Sequence, residues 1–210
     1  RQAGAQHAVF VRVPTRCWYC RGLGEPSSEA GHGASHTFDE MVAVLRAEVQ
    51  RVRPQRLVTI GSSMGGYAAV RAGLALGADV AVAFSPQVLV NMEQRRAANL
   101  PPAIYDPIFE RLALIAAFEA FECLSLCDAV KRAPEACRTL LEVHVGDKDV
   151  SDVKESGLLR DAVAALSVSP SGVSALAAVS DRRWLLVRRP KGGLLGGQWE
   201  FPPKMTLDND

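Results

Sequence analysis

Between Leu57 and Phe84 the chain reads strand, Gly-rich turn, helix and strand within about thirty residues, and this order leaves the fold little freedom. Leu57-Val58-Thr59-Ile60 is compact and mostly β-branched, the pattern of a buried strand. Gly65 to Leu76 is rich in Ala and Leu and reads as a helix, with Gly77 where a C-terminal cap belongs. Val80 to Phe84 is the next buried strand, stopped by Ser85-Pro86. Two strands joined through a helix pair in parallel, so the expected class is α/β.

The flanking segments extend this unit. Ala8 to Val13 is β-rich and stops at Pro14, and residues 22–35 have the Gly, Pro and Ser content of a loop. Thr37 and Glu40 form a capping box, followed by Phe38, Met41, Val42, Leu45, Val49 and Val52 at helical spacing as far as Pro54. Pro86 to Pro134 is irregular and helical, Ile108 to Cys123 being its best helix. Leu140 to Val145 reads as a strand, residues 146–149 as a tight acidic loop, and Leu158 to Leu166 as a short amphipathic helix. Ser167 to Gly172 has linker composition, and Val173 to Val179 with Trp184 to Val187 reads as a hairpin. The expected organisation is one α/β domain over 8–166, a linker over 167–172 and a β-rich segment over 173–210.

Composition excludes several classes. The chain has 210 residues, 48% of them apolar, which is enough for a packed core and rules out wholesale disorder. Its formal net charge of +1 carries no whole-chain footprint of a nucleic-acid or membrane binder. No apolar run reaches the eighteen or so residues that span a bilayer, and no signal-type stretch follows the first residues. Five cysteines at irregular spacing argue against a secreted disulfide framework. A soluble intracellular protein is expected, its compartment and oligomeric state left open. The chain opens on Arg1, which reads as a piece of something longer.

The chemistry concentrates at Gly61-Ser62-Ser63-Met64-Gly65, a G-x-S-x-G string between strand and helix. A serine on so sharp a turn is held in a strained conformation with its hydroxyl above the sheet edge. Side chains at Gly61 and Gly65 are expected to collide within the turn, and Gly66 to relieve the helix–strand contact. The Met64 N–H, at the helix N-terminus, points to where an oxyanion would form. An anion-binding turn or a plain βα connection are the alternatives. The stretch Gly61 to Ala69 resembles the nucleophile elbow of the α/β-hydrolase superfamily, and Ala83-Phe84-Ser85-Pro86-Gln87 resembles its next strand end. Arg16-Cys17-Trp18-Tyr19 resembles what precedes the elbow in one bacterial-type branch. The resemblance spans about residues 8–166 and implies a partial α/β-hydrolase parallel sheet flanked by helices. It also implies ester, thioester or amide acyl transfer on a small-molecule substrate, with Ser63 as nucleophile and no cofactor or metal.

In that superfamily the catalytic acid follows the strand placed here at Leu140 to Val145. Asp147, Asp149 and Asp152 all lie beyond it; Asp152, at the start of the next helix, matches best, and Asp149 is the runner-up, with solvated helix capping as the ordinary alternative. The histidine should come after the acid, yet none follows Asp152. His144 sits inside the preceding strand as a packed residue, and His32 and His36 lie in the loop after the first strand. Strands that would precede Ala8 to Val13, one of whose loops supplies the second oxyanion donor, are absent. Activity is therefore expected to be weak or nil.

A second resemblance lies at the C-terminal end. Trp184 to Pro202, with Arg189-Pro190, Gly193-Leu194-Leu195 and Trp199-Glu200-Phe201-Pro202, is similar to the start of the NUDIX-like C-terminal domain of adenine DNA glycosylases. It implies a DNA-repair role reading 8-oxoguanine, with Arg188, Arg189 and Lys191 as candidate DNA contacts. The metal-binding NUDIX signature and the glycosylase's iron–sulfur cysteines have no counterpart, and a non-catalytic remnant is a third reading. Cys17-Trp18-Tyr19-Cys20 is a lone C-x-x-C, for which structural cysteines are expected.

Overall fold

The computed structural model describes residues 7–13, 16–23, 37–119, 125–134, 137–146, 148–167, 175–176, 187–188 and 199–200. Helix α1 (Phe38–Val52) opens on the expected capping box, Thr37 accepting from the Glu40 N–H while Glu40 accepts from the Thr37 N–H. It closes on Arg53 in a left-handed conformation, just before Pro54. Strand β1 (Val58–Ser62), helix α2 (Met64–Leu76) and strand β2 (Val80–Phe84) form the expected crossover. Gly77 caps α2 at φ 67°, bonding back to Gly73 and Leu74. Helices α3 (Met92–Ala97), α4 (Asp106–Glu119) and α5 (Leu126–Lys131) fill the excursion, and β3 (Leu140–His144) returns to the sheet. Helix α6 (Val150–Ser167) follows, twice as long as its amphipathic stretch predicts, because it starts eight residues earlier, where Asp149 caps it.

The sheet order is β1-β2-β3-β4, all parallel, with β4 reduced to Ala175–Leu176. Register is set by rows: Thr59, Ala81 and Leu141 share one face, while Ile60, Val82 and Glu142 share the other. Helix α2 packs on the first face, and α1 and α5 lie against α2. The main core joins Tyr67, Val70 and Leu74 of α2 to Ala81, Ala83, Leu141 and Val143, with Trp18, Phe109, Leu126 and Val130. A second cluster gathers Phe38, Met41 and Val42 of α1 with Tyr19, Ala68 and Ala72.

Contact between α2 and the sheet depends on Gly73. A Cβ there would lie 2.8 Å from both the Ala81 Cβ, which has no side-chain torsion to turn away by, and the Thr59 Oγ1, which is held by its bond to the Ala69 carbonyl. Gly73→Ala is therefore expected to cost about 1–3 kcal/mol by overpacking, outweighing its gain in helix propensity. The check is the urea midpoint at unchanged m-value.

Three expectations need correcting. Strand β1 is not buried: Val58 is 47% and Ile60 64% exposed, since β1 is the edge of the described sheet and one of its faces has no cover. Residues 8–13 form no strand. Val11 and Val13 pack on the second cluster and Phe10 is 88% exposed, but no ladder partner stands beside them among the described residues, and β-propensity without a partner makes no sheet. The C-terminal pairing also differs. Ala175–Leu176 pairs with Leu141 and Glu142 of β3, whereas Val187–Arg188 (β5) pairs antiparallel with Trp199–Glu200 (β6). Two compact units result, Arg1–Val179 and Ser180–Asp210. No described helix is long and apolar enough to cross a membrane.

Candidate active site

The three long strands end at one level. The Ser63 N–H donates to the Phe84 carbonyl at 2.8 Å, and the Ser85 N–H to the His144 carbonyl at 2.8 Å, so the ladder runs one step past each strand. Residues beyond these ends stand at the carboxyl edge of a parallel sheet, where α/β folds bind ligands.

Ser63 occupies the joint between β1 and α2 with φ 54° and ψ −123°. Such a conformation costs a non-glycine residue on the order of 1–3 kcal/mol. A serine at this helix position ordinarily accepts from the N–H two or three residues on, for about 1 kcal/mol. Ser63 makes no such cap bond. Its side chain is exposed instead, and the first N–H groups of α2 keep no intrahelical partner.

The two motif glycines are not equivalent. A Cβ on Gly61 would overlap the Gly65 carbonyl and come within 2.8 Å of the Gly66 nitrogen, so the turn closes only over a bare Cα. At Gly65 a Cβ meets nothing within 4 Å, which corrects the expectation that both positions are sterically required. Gly66 is the contact glycine: a Cβ would stand 3.3 Å from the Gly61 carbonyl, the Phe84 carbonyl and the Pro86 Cβ. Met64, first residue of α2, carries the backbone N–H beside Ser63.

Gln87 is the side chain that meets the serine. Its Nε2 lies 3.2 Å and its Oε1 3.3 Å from Ser63 Oγ. The Trp18 Nε1–H donates to Gln87 Oε1 at 3.0 Å, and Gln87 Nε2 also reaches the Ser85 carbonyl at 3.4 Å. Trp18 gets there because the turn Cys17–Cys20 is tight: Trp18 and Tyr19 have φ 47° and 59°, and Cys20 N–H bonds Cys17 O at 2.9 Å. The indole then packs edge-on against Phe109, centroids 4.5 Å apart. Cys17 and Cys20 are buried thiols not joined in a disulfide, and Cys20 Sγ donates to the Trp18 carbonyl at 3.7 Å.

A buried ion cluster holds the loop bearing Gln87. Glu155 of α6 accepts from the Val88 and Leu89 N–H groups at 2.6 and 3.0 Å, and from Arg95 Nη1 at 2.6 Å. Arg95 Nε lies 3.1 Å from Asp106 Oδ1. Burial pushes the Glu155 carboxyl above the ordinary glutamate value, opposed by the Leu89 N–H and then by Arg95.

Asp149 is a helix cap, its Oδ1 accepting from the N–H groups of Ser151 and Asp152 at 3.0 Å each. Asp152 is half-buried. Burial raises its carboxyl above the usual aspartate range; the adjacent Ser85 hydroxyl pulls it down and the Asp149 charge adds to the rise. Asp152 thus meets Ser85 and Ser63 meets Gln87, the two pairs joined through the Ser85 carbonyl. His144 ends β3 stacked on Phe84 at 4.9 Å, its Nε2 3.9 Å from Glu142 Oε2, as a packed strand residue. Asp147, His32, His36, Arg189 and Lys191 lie outside the described residues. Arg188 lies on β5, opposite Trp199. Among the described residues no three His, Cys, Asp or Glu gather as a metal site.

Glu155 and Arg95 carry no motif. The sequence signals for the other two were the place of Trp18 within Arg16-Cys17-Trp18-Tyr19 and of Gln87 directly after the Ser85-Pro86 strand end, both in stretches that resemble the superfamily.

No protein-family model and no curated protein matches the chain. Among solved structures it is similar to the capsule O-acetyltransferase of Neisseria meningitidis serogroup A, a point mutant in complex with CoA. Identity is 14% and the TM-score 0.46; the match covers 76% of this chain and 58% of that one, so the chain spans under two thirds of its length. At that level neither its substrate nor its cofactor transfers to this chain.

Proposed function

We propose that Ser63 is the nucleophile of an acyl-transfer reaction on a small-molecule ester, thioester or amide, carried by the 8–166 domain. One observation supports this above the rest: an exposed serine at φ 54° that forgoes its helix cap, on a turn that only a bare Gly61 allows. Strain kept at one position, with the hydroxyl free of local bonds, is what a nucleophile elbow requires.

In the reaction Ser63 Oγ bonds to the acyl carbon while the carbonyl π pair moves onto its oxygen, facing the Met64 N–H. The hydroxyl proton passes to solvent hydroxide, which becomes water, because no imidazole among the described residues touches Ser63 Oγ. Collapse of the adduct returns the electron pair and expels the leaving group. Asp152, half-buried with the Ser85 hydroxyl beside it, is the favoured acid for an imidazole docking at this edge, since Asp149 is already engaged as a cap.

A fluorophosphonate probe tests the reading. Wild type should label at one site and Ser63→Ala should not label at all. Without an imidazole the rate should climb steadily with pH to about 9, whereas levelling near 6.5 would assign a histidine base. Labelling that survives Ser63→Ala removes the elbow assignment.

A further inference from the structure

Gln87 is 5% exposed, yet its amide is aimed at an exposed hydroxyl. A buried amide must spend its donors and acceptor inside the protein. An indole can only donate, so Trp18 Nε1 fixes which end of the amide is the carbonyl; that oxygen also lies 3.3 Å from Ser63 Oγ, and the NH₂ end faces the same hydroxyl. That group lies 3.2 Å from Oγ and 3.4 Å from the Ser85 carbonyl. Its backbone is held as firmly, since the next two N–H groups are bound to Glu155. The amide is thus fixed from both ends before any substrate arrives. Preorganised N–H donors next to a nucleophile stabilise the charge that develops one bond away.

We propose that the Gln87 side-chain amide is the second oxyanion donor of this site, working with the Met64 N–H, and that Trp18 is the positioning residue that fixes its orientation. This rests on the acyl-transfer reading of Ser63. When Oγ bonds to the acyl carbon it exchanges its proton for that bond and becomes an ether oxygen, a poorer acceptor, so Gln87 Nε2–H turns toward the neighbouring oxygen as that oxygen gains its negative charge.

Fluorophosphonate labelling tests this as well. Oγ bonds to phosphorus, the P–F bond breaks with fluoride leaving, and the hydroxyl proton goes to solvent hydroxide. Gln87→Leu is expected to label about a hundredfold more slowly than wild type, the usual loss for one oxyanion donor. Gln87→Glu covers the chance that the leucine variant does not fold: it keeps an acceptor for Trp18 but holds only acceptors at neutral pH. Its rate relative to wild type should be low at pH 8 and recover toward one as the introduced carboxyl gains a proton below about pH 5. A purely structural role would not produce that pH-dependent ratio. Trp18→Phe, which keeps the ring against Phe109 but drops the indole N–H, should label about tenfold more slowly. Should Gln87→Glu label at the wild-type rate or faster at pH 8, while Ser63→Ala stays unlabelled, Gln87 is not the donor and the Ser63 reading stands. If wild type itself does not label, both fall together.

Discussion

Gly61→Ala is expected to slow fluorophosphonate labelling of Ser63 by about 100-fold or more, while Gly65→Ala labels at close to the wild-type rate. The new methyl at position 61 would overlap the Gly65 carbonyl, which belongs to the first turn of α2 and is not a side chain that can rotate away. Either the helix start or the strand end must move, and Ser63 sits between them. A shift of about an ångström at a nucleophile suffices for a loss of this size. Stability should drop as well, by about 1–3 kcal/mol. At position 65 the methyl enters open space within a helix, where alanine is favoured over glycine by up to about 1 kcal/mol. Labelling rates and urea midpoints of the two variants, side by side, check the claim. Equal behaviour at 61 and 65 would mean the turn is looser than its geometry implies.

The second large effect is expected at Glu155, which is 0% exposed and holds three donors. Glu155→Ala strands the Arg95 guanidinium and the Val88 and Leu89 N–H groups inside the protein. Removing one member of a buried pair costs about 3–5 kcal/mol, a large part of the 5–15 kcal/mol typical of a domain. The urea midpoint should fall sharply, and labelling of Ser63 should fall with it at denaturant concentrations where the fold survives, because the bonds lost are those that hold the loop after Gln87. Glu155→Gln should cost less, since its amide oxygen still accepts from a backbone N–H. Pairing Glu155→Leu with Arg95→Met should recover only part of the loss, because the apolar pair removes the guanidinium–carboxylate mismatch but leaves Asp106 without its cationic partner. A double variant no more stable than Glu155→Ala would show that the backbone N–H bonds, not the stranded guanidinium, dominate.

Both predictions mark how far the residues could be read in order. The Thr37–Glu40 box, the Gly77 cap and the strand–turn–helix run around Ser63 were legible, as these depend on groups within about five positions of one another. The unequal roles of Gly61 and Gly65 were not, since both sit symmetrically in the motif and only the path of α2 tells them apart. Asp149 and Asp152 were picked out together, and the start of α6 separated them into a cap and a half-buried carboxyl. The strand expected at residues 8–13 failed because a ladder partner is a property of the sheet, not of the strand.

By itself the amino-acid order determined the α/β class, the parallel crossover and the sharp turn beneath Ser63, because hydrophobic period, capping and glycine placement act over a few residues. Only the tertiary structure decided what surrounds the hydroxyl. Trp18 meets Gln87 across 69 positions and Glu155 meets Val88 across 67, contacts set by which strands are neighbours and where their ends fall. Pairings so distant leave no periodicity in the chain, since their energy comes from burying polar groups that must then satisfy one another.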